Sequence, residues 1–271
     1  GGFPQGLKKW MKEQSKVNGK ISIRLVSHSG LNHDNVDIFI YPEKLCYSKV
    51  LPEDIPAVLE SHFLKGDTST FSAAEFEQDQ IFICTHGRHD KCCAKFGQEL
   101  ADKMRYHVLK QKTSIEVWES SHLGGHRFAP TMLDFPTGLA YGRLTPDEIP
   151  NFLASRKEGL VYGPAYRGTV FLSELEQVAE ANVQHYCSMR NWSCQFQIQN
   201  LEKISEEKFR CIAMFRKSES SISPQNNIPD ELPFTFKLKG FESPSGCDEL
   251  EVRKLRKCWE LESTIPSNNF L

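Results

Sequence analysis

The chain has 271 residues, 39% hydrophobic and 25% charged, with a formal net charge of −2. That composition suits a globular protein with one large core or two modest ones, and it leaves no overall basic surplus for binding nucleic acid or acidic membranes. No apolar run approaches the roughly 18 residues that span a bilayer, and the opening Gly1-Gly2-Phe3-Pro4 has no basic-then-apolar signal pattern. The expectation is a cytoplasmic protein without membrane insertion or nucleic-acid binding, with an organellar location after loss of a targeting segment as the alternative.

Taken in chain order, residues 1–76 read as a small α/β unit. A short helix is expected at Leu7 to Gln14, strands at Ile21 to Val26 and Val36 to Tyr41, and a helix at Asp54 to Phe63 after Pro52. Thr68 to Glu77, rich in Ser, Thr and acidic residues, reads as a linker.

Residues 78–160 carry a strand at Gln80 to Cys84, a loop at Thr85 to Asp90 and a helix from Lys91 to Leu109. A strand at Ser114 to Glu119 leads into a loop at Ser120 to Arg127, and two short strands, Thr131 to Phe135 and Gly138 to Tyr141, turn at Pro136-Thr137. Thr145-Pro146-Asp147-Glu148 then opens a helix, with Thr145 as N-cap, Pro at the first helical position and Glu at the third, the capping-box arrangement. The order β-α-β-β-β-α, with a parallel first pair and a terminal hairpin, predicts an α/β domain of thioredoxin-like form, α+β when the whole chain is counted.

Residues 161–262 read as an antiparallel α+β region. A helix starts at Glu174, capped by Ser173 and Glu176, and alternating runs follow at Cys194 to Ile198, Phe209 to Phe215, Phe234 to Leu238 and Leu255 to Leu261. Ser218 to Pro229 reads as a polar loop and residues 263–271 as a tail.

Nine cysteines are scattered through a chain too long for a disulfide scaffold. Cys194 and Cys211 sit in apolar alternating runs and read as small buried hydrophobes. The group at Cys84 differs. Cys84 and Cys93, then His122 and His126, give C-x8-C and H-x3-H within the most Gly- and His-rich stretch of the chain. Cys84 ends an apolar strand, and Cys93 falls in the first turn of a helix, where backbone N–H groups favour the thiolate form that binds metal. Gly124 and Gly125 between the histidines permit a tight loop whose backbone approaches a bound group closely.

Three metal centres compete on these residues. A structural zinc fits the histidine spacing, but eight residues between the thiolates exceed the usual two to four. A Rieske centre needs paired C-x-H and C-x-x-H loops; Cys84-Thr85-His86 matches the first, and neither Cys92 nor Cys93 supplies the second. The third centre keeps two Cys and two His around a 2Fe-2S cluster and takes them from the two loops at one end of a thioredoxin-like sheet.

Phe82-Ile83-Cys84-Thr85-His86-Gly87-Arg88-His89-Asp90-Lys91-Cys92-Cys93 and Val117-Trp118-Glu119-Ser120-Ser121-His122-Leu123-Gly124-Gly125-His126-Arg127-Phe128-Ala129 resemble the two signatures of the sucrase/ferredoxin-like family. Gly138 to Leu144 and Tyr166-Arg167-Gly168 also look like the family, so the resemblance is specific over residues 80–170. It implies a thioredoxin-like 2Fe-2S ferredoxin domain with bis-histidinyl ligation, Cys84 and Cys93 on one iron and His122 and His126 on the other. Cys92 is then a spare thiol or an exchange ligand. His86 and His89 read as neighbours of the cluster or members of a solvent-facing loop, Gly124 and Gly125 as backbone close to it, Arg88 and Arg127 as hydrogen-bond donors that offset its charge or else as plain surface arginines, and Trp118 as packing.

Imidazoles in place of thiolates leave such a cluster less negative and easier to reduce, and an imidazole on oxidised iron can lose a proton, which couples electron uptake to proton uptake. The expected function is one-electron transfer with a reductase or acceptor protein as partner. The alternatives are a zinc adaptor module and a thiol oxidoreductase, although the latter would favour C-x-x-C at the helix start. A sugar hydrolase is disfavoured because no pair of carboxylates stands out for that chemistry.

Overall fold

The computed structural model describes residues 7–14, 16, 22–27, 35–65, 71–87, 91–190, 192, 194–217, 228–244 and 253–264. The strands are β1 (Val26–Ser27), β2 (Val36–Ile40), β3 (Leu45–Val50), β4 (Ala74–Glu75), β5 (Asp79–Cys84), β6 (Ile115–Ser120), β7 (Thr131–Phe135), β8 (Leu139–Gly142), β9 (Tyr166–Thr169), β10 (Cys194–Ser205), β11 (Lys208–Lys217), β12 (Glu231–Pro244) and β13 (Arg253–Thr264). The helices are α1 (Leu7–Gln14), α2 (Ile55–Glu60), α3 (Lys91–Gln111), α4 (Ile149–Lys157) and α5 (Glu174–Met189).

Three sheets form: β1-β6-β5-β7-β8-β9, β2-β3-β4 and β10-β11-β12-β13. At the centre of the first, β5 and β6 run parallel with Cys84 opposite Ser120. They are joined by α3, since a parallel pair needs a long crossover. The hairpin β7-β8 adds antiparallel to the other edge of β5. The order β6-β5-β7-β8, with the crossover helix between the parallel pair and α4 after the hairpin, is the thioredoxin-like core.

Successive side chains of β5 point to opposite faces, and both faces are covered. Ile81 and Ile83 join Leu100, Met104 and Val108 of α3 and Phe152 and Leu153 of α4 in one core. Phe82 turns the other way and joins Trp118 and Phe135, against which Phe39 and Tyr41 of the N-terminal unit pack. This explains why Ile81-Phe82-Ile83 is a continuous apolar run rather than an alternating one.

The capping signals operate as the sequence suggested. Glu148 accepts hydrogen bonds from the Thr145 N–H at 2.8 Å and its hydroxyl at 2.7 Å, although the first turn is 3-10 over Pro146–Glu148 before α4 begins. Glu176 accepts from the Ser173 N–H at 2.9 Å. In the C-terminal sheet α5 covers one face, with Ala179, Val183 and Cys187 against Phe209, Cys211, Phe234 and Phe236.

Several expectations need correcting. Of the strand expected at Ile21 to Val26, Ile21 lies outside the described residues and Ser22 to Leu25 form no strand; only Val26–Ser27 pairs with the edge of β6. Leu45–Val50, unanticipated because no alternation announces it, is the middle strand of the N-terminal sheet, and Ala74–Glu75 of the expected linker pairs with it. The helix at Asp54 to Phe63 is broken into a 3-10 turn, the short α2 and a π turn at Ser61–Lys65. Tyr166–Thr169 forms β9 on the edge of β8, so the first sheet extends past residue 160. Residues 218–227 of the polar loop and 265–271 of the tail lie outside the described residues, and the last strand runs to Thr264.

Candidate functional site

The candidate site is at the end of β5. The parallel ladder continues one residue beyond the strand, with the Thr85 N–H donating to the Ser120 carbonyl at 3.2 Å. The loops after β5 and β6 therefore leave the sheet from the same place. The second is fixed to the sheet edge by the Ser121 N–H, which donates to the Leu25 carbonyl at 2.8 Å, and by Ser121 Oγ, which accepts from the Leu25 N–H at 3.1 Å.

Cys84 is 0% exposed and Cys93 1% exposed, and neither is in a disulfide. On α3 the buried residues are Cys93, Gly97, Leu100, Ala101, Met104 and Val108, the spacing of one helical face. Cys93 sits at the head of that face. Cys92, about 100° away around the helix, is half-buried and disulfide-bonded. Gly97 lets α3 come this close: a Cβ there would collide with the Cys84 carbonyl oxygen.

The Cys84 thiol is pulled down to about 5, first by a hydrogen bond with the Cys93 side chain. Burial opposes the shift, and hydrogen bonds from the backbone N–H groups of His86 and Leu123, together with the charge of His122, add to it. Leu123 lies between the two candidate histidines, so the second loop folds over the first. Gly124 at φ +88° and Gly125 at φ +66° take the left-handed backbone that the paired glycines predicted.

Glu119 joins the elements behind the site. It accepts from Arg105 Nη2 at 2.8 Å and from Gln98 Nε2 at 3.3 Å, both on α3, and from Thr85 Oγ1 at 3.3 Å. Trp118 is buried, and its indole N–H donates to Glu116 at 3.1 Å.

The structure thus brings together Cys84, Cys93 and the backbone around His86, with His122 close enough for its charge to act on Cys84. Arg88, His89 and the side chain of His126 lie outside the described residues. Among the described residues no group of three or more His, Cys, Asp and Glu side chains is disposed to hold a metal ion. The donors nevertheless suit an iron–sulfur cluster: two adjacent thiols, one already acidic, with N–H groups aimed at the sulfur. Sequence reasoning passed over Gly97 and Glu119. A glycine inside an otherwise helical stretch was the available signal for the first, and nothing local announces the second.

Strand order and crossover place the protein in the thioredoxin-like class. The sucrase/ferredoxin-like family profile matches residues 3–168, more than half of the chain, and the protein belongs to that family. Among curated relatives, altered inheritance of mitochondria protein 32 of Debaryomyces hansenii is 26% identical over 106 residues, 37% of this chain and 39% of the relative. The same-named protein of Clavispora lusitaniae is 26% identical over 102 residues, 36% of this chain and 37% of the relative. The match therefore spans well under half the length of these relatives. A thioredoxin-like 2Fe-2S ferredoxin from Aquifex aeolicus aligns at 13% identity and a TM-score of 0.32, covering 35% of this chain and 94% of that one. Among the described residues no helix is long and apolar enough to cross a membrane.

Proposed function

We propose that the protein is a one-electron carrier holding a 2Fe-2S cluster on Cys84, Cys93, His122 and His126, exchanging electrons with a partner protein. The observation that carries this reading is the meeting of the Cys84 and Cys93 thiols at the end of β5 under backbone N–H groups from both loops. Such N–H groups stabilise negative charge on sulfur, and Gly97 and the Gly124-Gly125 turn let α3 and the second loop close in.

When bound, the cluster supplies reversible one-electron chemistry. The chain's part is to bury the thiolates, and, on this reading, to place an imidazole that releases a proton on oxidation and regains it on reduction, giving a potential that falls as pH rises. Burial also favours this reading over thiol exchange. With Cys84 at 0% and Cys93 at 1% exposure, an incoming disulfide has no access to either sulfur.

The test is metal and sulfide analysis of protein made with sufficient iron. Iron and sulfide at about two each per chain, with a paramagnetic signal on reduction, support the proposal, and a single zinc without sulfide overturns it. For location we place the mitochondrion beside the cytoplasm, because the relatives' names refer to mitochondrial inheritance. Fractionation of cells making the natural protein decides between them.

A further inference from the structure

Phe128, just after the second loop, is surrounded by arginine. The guanidinium carbons of Arg127, Arg143 and Arg167 lie 5.1, 5.1 and 4.0 Å from its ring centroid. Arg167 is seated tightly. A Cβ on Gly125 would stand 2.7 Å from its Nη1, and one on Gly142 would stand 2.7 Å from its Cδ and 2.9 Å from the Phe128 Cβ. Arg143 adopts a left-handed φ of 62°, unusual outside glycine. Its N–H is held by the Phe128 carbonyl at 2.9 Å and the Pro130 carbonyl at 3.0 Å.

Like Arg167, Arg105 and Arg156 of this domain are half-buried, and each of those two has two carboxylates. Arg105 pairs with Asp102 at 2.9 Å and Glu119 at 2.8 Å, and Arg156 with Asp134 and Asp79, both at 2.9 Å. Among the described residues no carboxylate pairs with Arg127, Arg143 or Arg167. An aromatic face offsets only part of the mutual repulsion of three cations. The Arg167 guanidinium is correspondingly weakened, its pKa lowered to about 10 by burial first and then by the charges of Arg127 and Arg143. Three like charges on one ring repel one another, and an anion seated among them would offset that repulsion.

We infer that Arg127, Arg143 and Arg167, stacked on Phe128, form a binding site for an oxyanion, a phosphate or carboxylate group. Planar guanidiniums present paired N–H donors that match such oxygens. The site lies against Gly125, beside the candidate histidines, and does not depend on a cluster being bound. The group comes either from a free anion or from the acidic surface of a docking protein.

The test titrates the intact chain with inorganic phosphate and, separately, with a hexaglutamate peptide, at constant ionic strength with chloride as the balancing ion. Binding is read by calorimetry and by thermal shift. The expected result is saturable binding of at least one probe, weakened roughly tenfold or more by Arg127→Gln with Arg143→Gln. Both residues are exposed, so this variant keeps its fold, checked by circular dichroism. The probe bound more tightly identifies the source. Binding of neither probe beyond chloride, or binding unchanged in the double variant, overturns the site.

Discussion

Gly97 of α3 faces the carbonyl oxygen of Cys84 so closely that any Cβ at position 97 would collide with it. The glycine sets how near the helix comes to the end of β5, and Cys93, one turn earlier on the same face, reaches Cys84 only because of that approach. The obstacle is backbone rather than a flexible side chain, so the helix must move. Gly97→Ala is expected to destabilise the fold by about 1–3 kcal/mol and to reduce iron retention. Urea unfolding and iron analysis measure both, and unchanged values would contradict the packing argument.

The Cys84–Cys93 hydrogen bond predicts a low titration of the iron-free chain. With the Cys84 thiol pulled down to about 5, the thiolate predominates above that pH and is lost below it. The difference in ultraviolet thiolate absorbance between wild type and Cys84→Ser should show this step. Cys93→Ala should move it up toward the ordinary value of about 8.5, and a step that stays put would mean that Cys93 is not the main cause.

For the cluster itself, Cys93→Ser is expected to abolish iron and sulfide binding, whereas Cys92→Ser, which alters the disulfide-bonded neighbour off the buried face of α3, is expected to retain both. Equal loss in the two variants would refute the assignment of Cys93.

Glu119 gives a stability prediction with a definite sign. Burial works to raise its carboxyl, but hydrogen bonds and charge from Arg105, with Gln98 and Thr85, outweigh burial and hold it below the usual range. A depressed carboxyl stabilises the fold above the unfolded pKa of about 4.3 and loses that contribution as pH falls through the folded value. Glu119→Gln should lower stability at neutral pH by about 1 kcal/mol, a Tm shift of roughly 2–4 °C. The gap from wild type should close in acid, and a gap independent of pH would remove the electrostatic explanation.

Asp134 is only 2% exposed, and Arg156 holds it through Nε at 2.9 Å and Nη2 at 3.0 Å. Burial still leaves the Asp134 carboxyl above its usual range. Arg156→Ala strands that acid without a countercharge and should cost about 3–5 kcal/mol by chemical denaturation. A second change, Asp134→Leu, should restore part of the loss.

Much of the thioredoxin-like core was legible because its signals are local. Ile81-Phe82-Ile83 is apolar throughout because both faces of β5 are covered, and Thr145 to Glu148 is a capping pattern that acts within one turn, as Ser173 to Glu176 is for α5 beside the C-terminal sheet. The N-terminal sheet was less legible: Leu45–Val50 has no clear alternation, and Ala74–Glu75 is held only by pairing with it. Residues 166–168 carry a family resemblance but no sign that they open a strand or of which strand it would join.

The same division applies at the site. By itself the sequence determined which sulfur and imidazole side chains were available, their spacing, and the glycines that let the second loop turn, since these depend on residue type and short-range geometry. Only the tertiary structure decided that Cys93 rather than Cys92 meets Cys84, that Glu119 joins Thr85 to α3, and that Arg143 and Arg167 join Arg127 on Phe128. Each of those depends on how closely a helix, a strand end and a loop approach one another, and that distance is set by packing across the sheet.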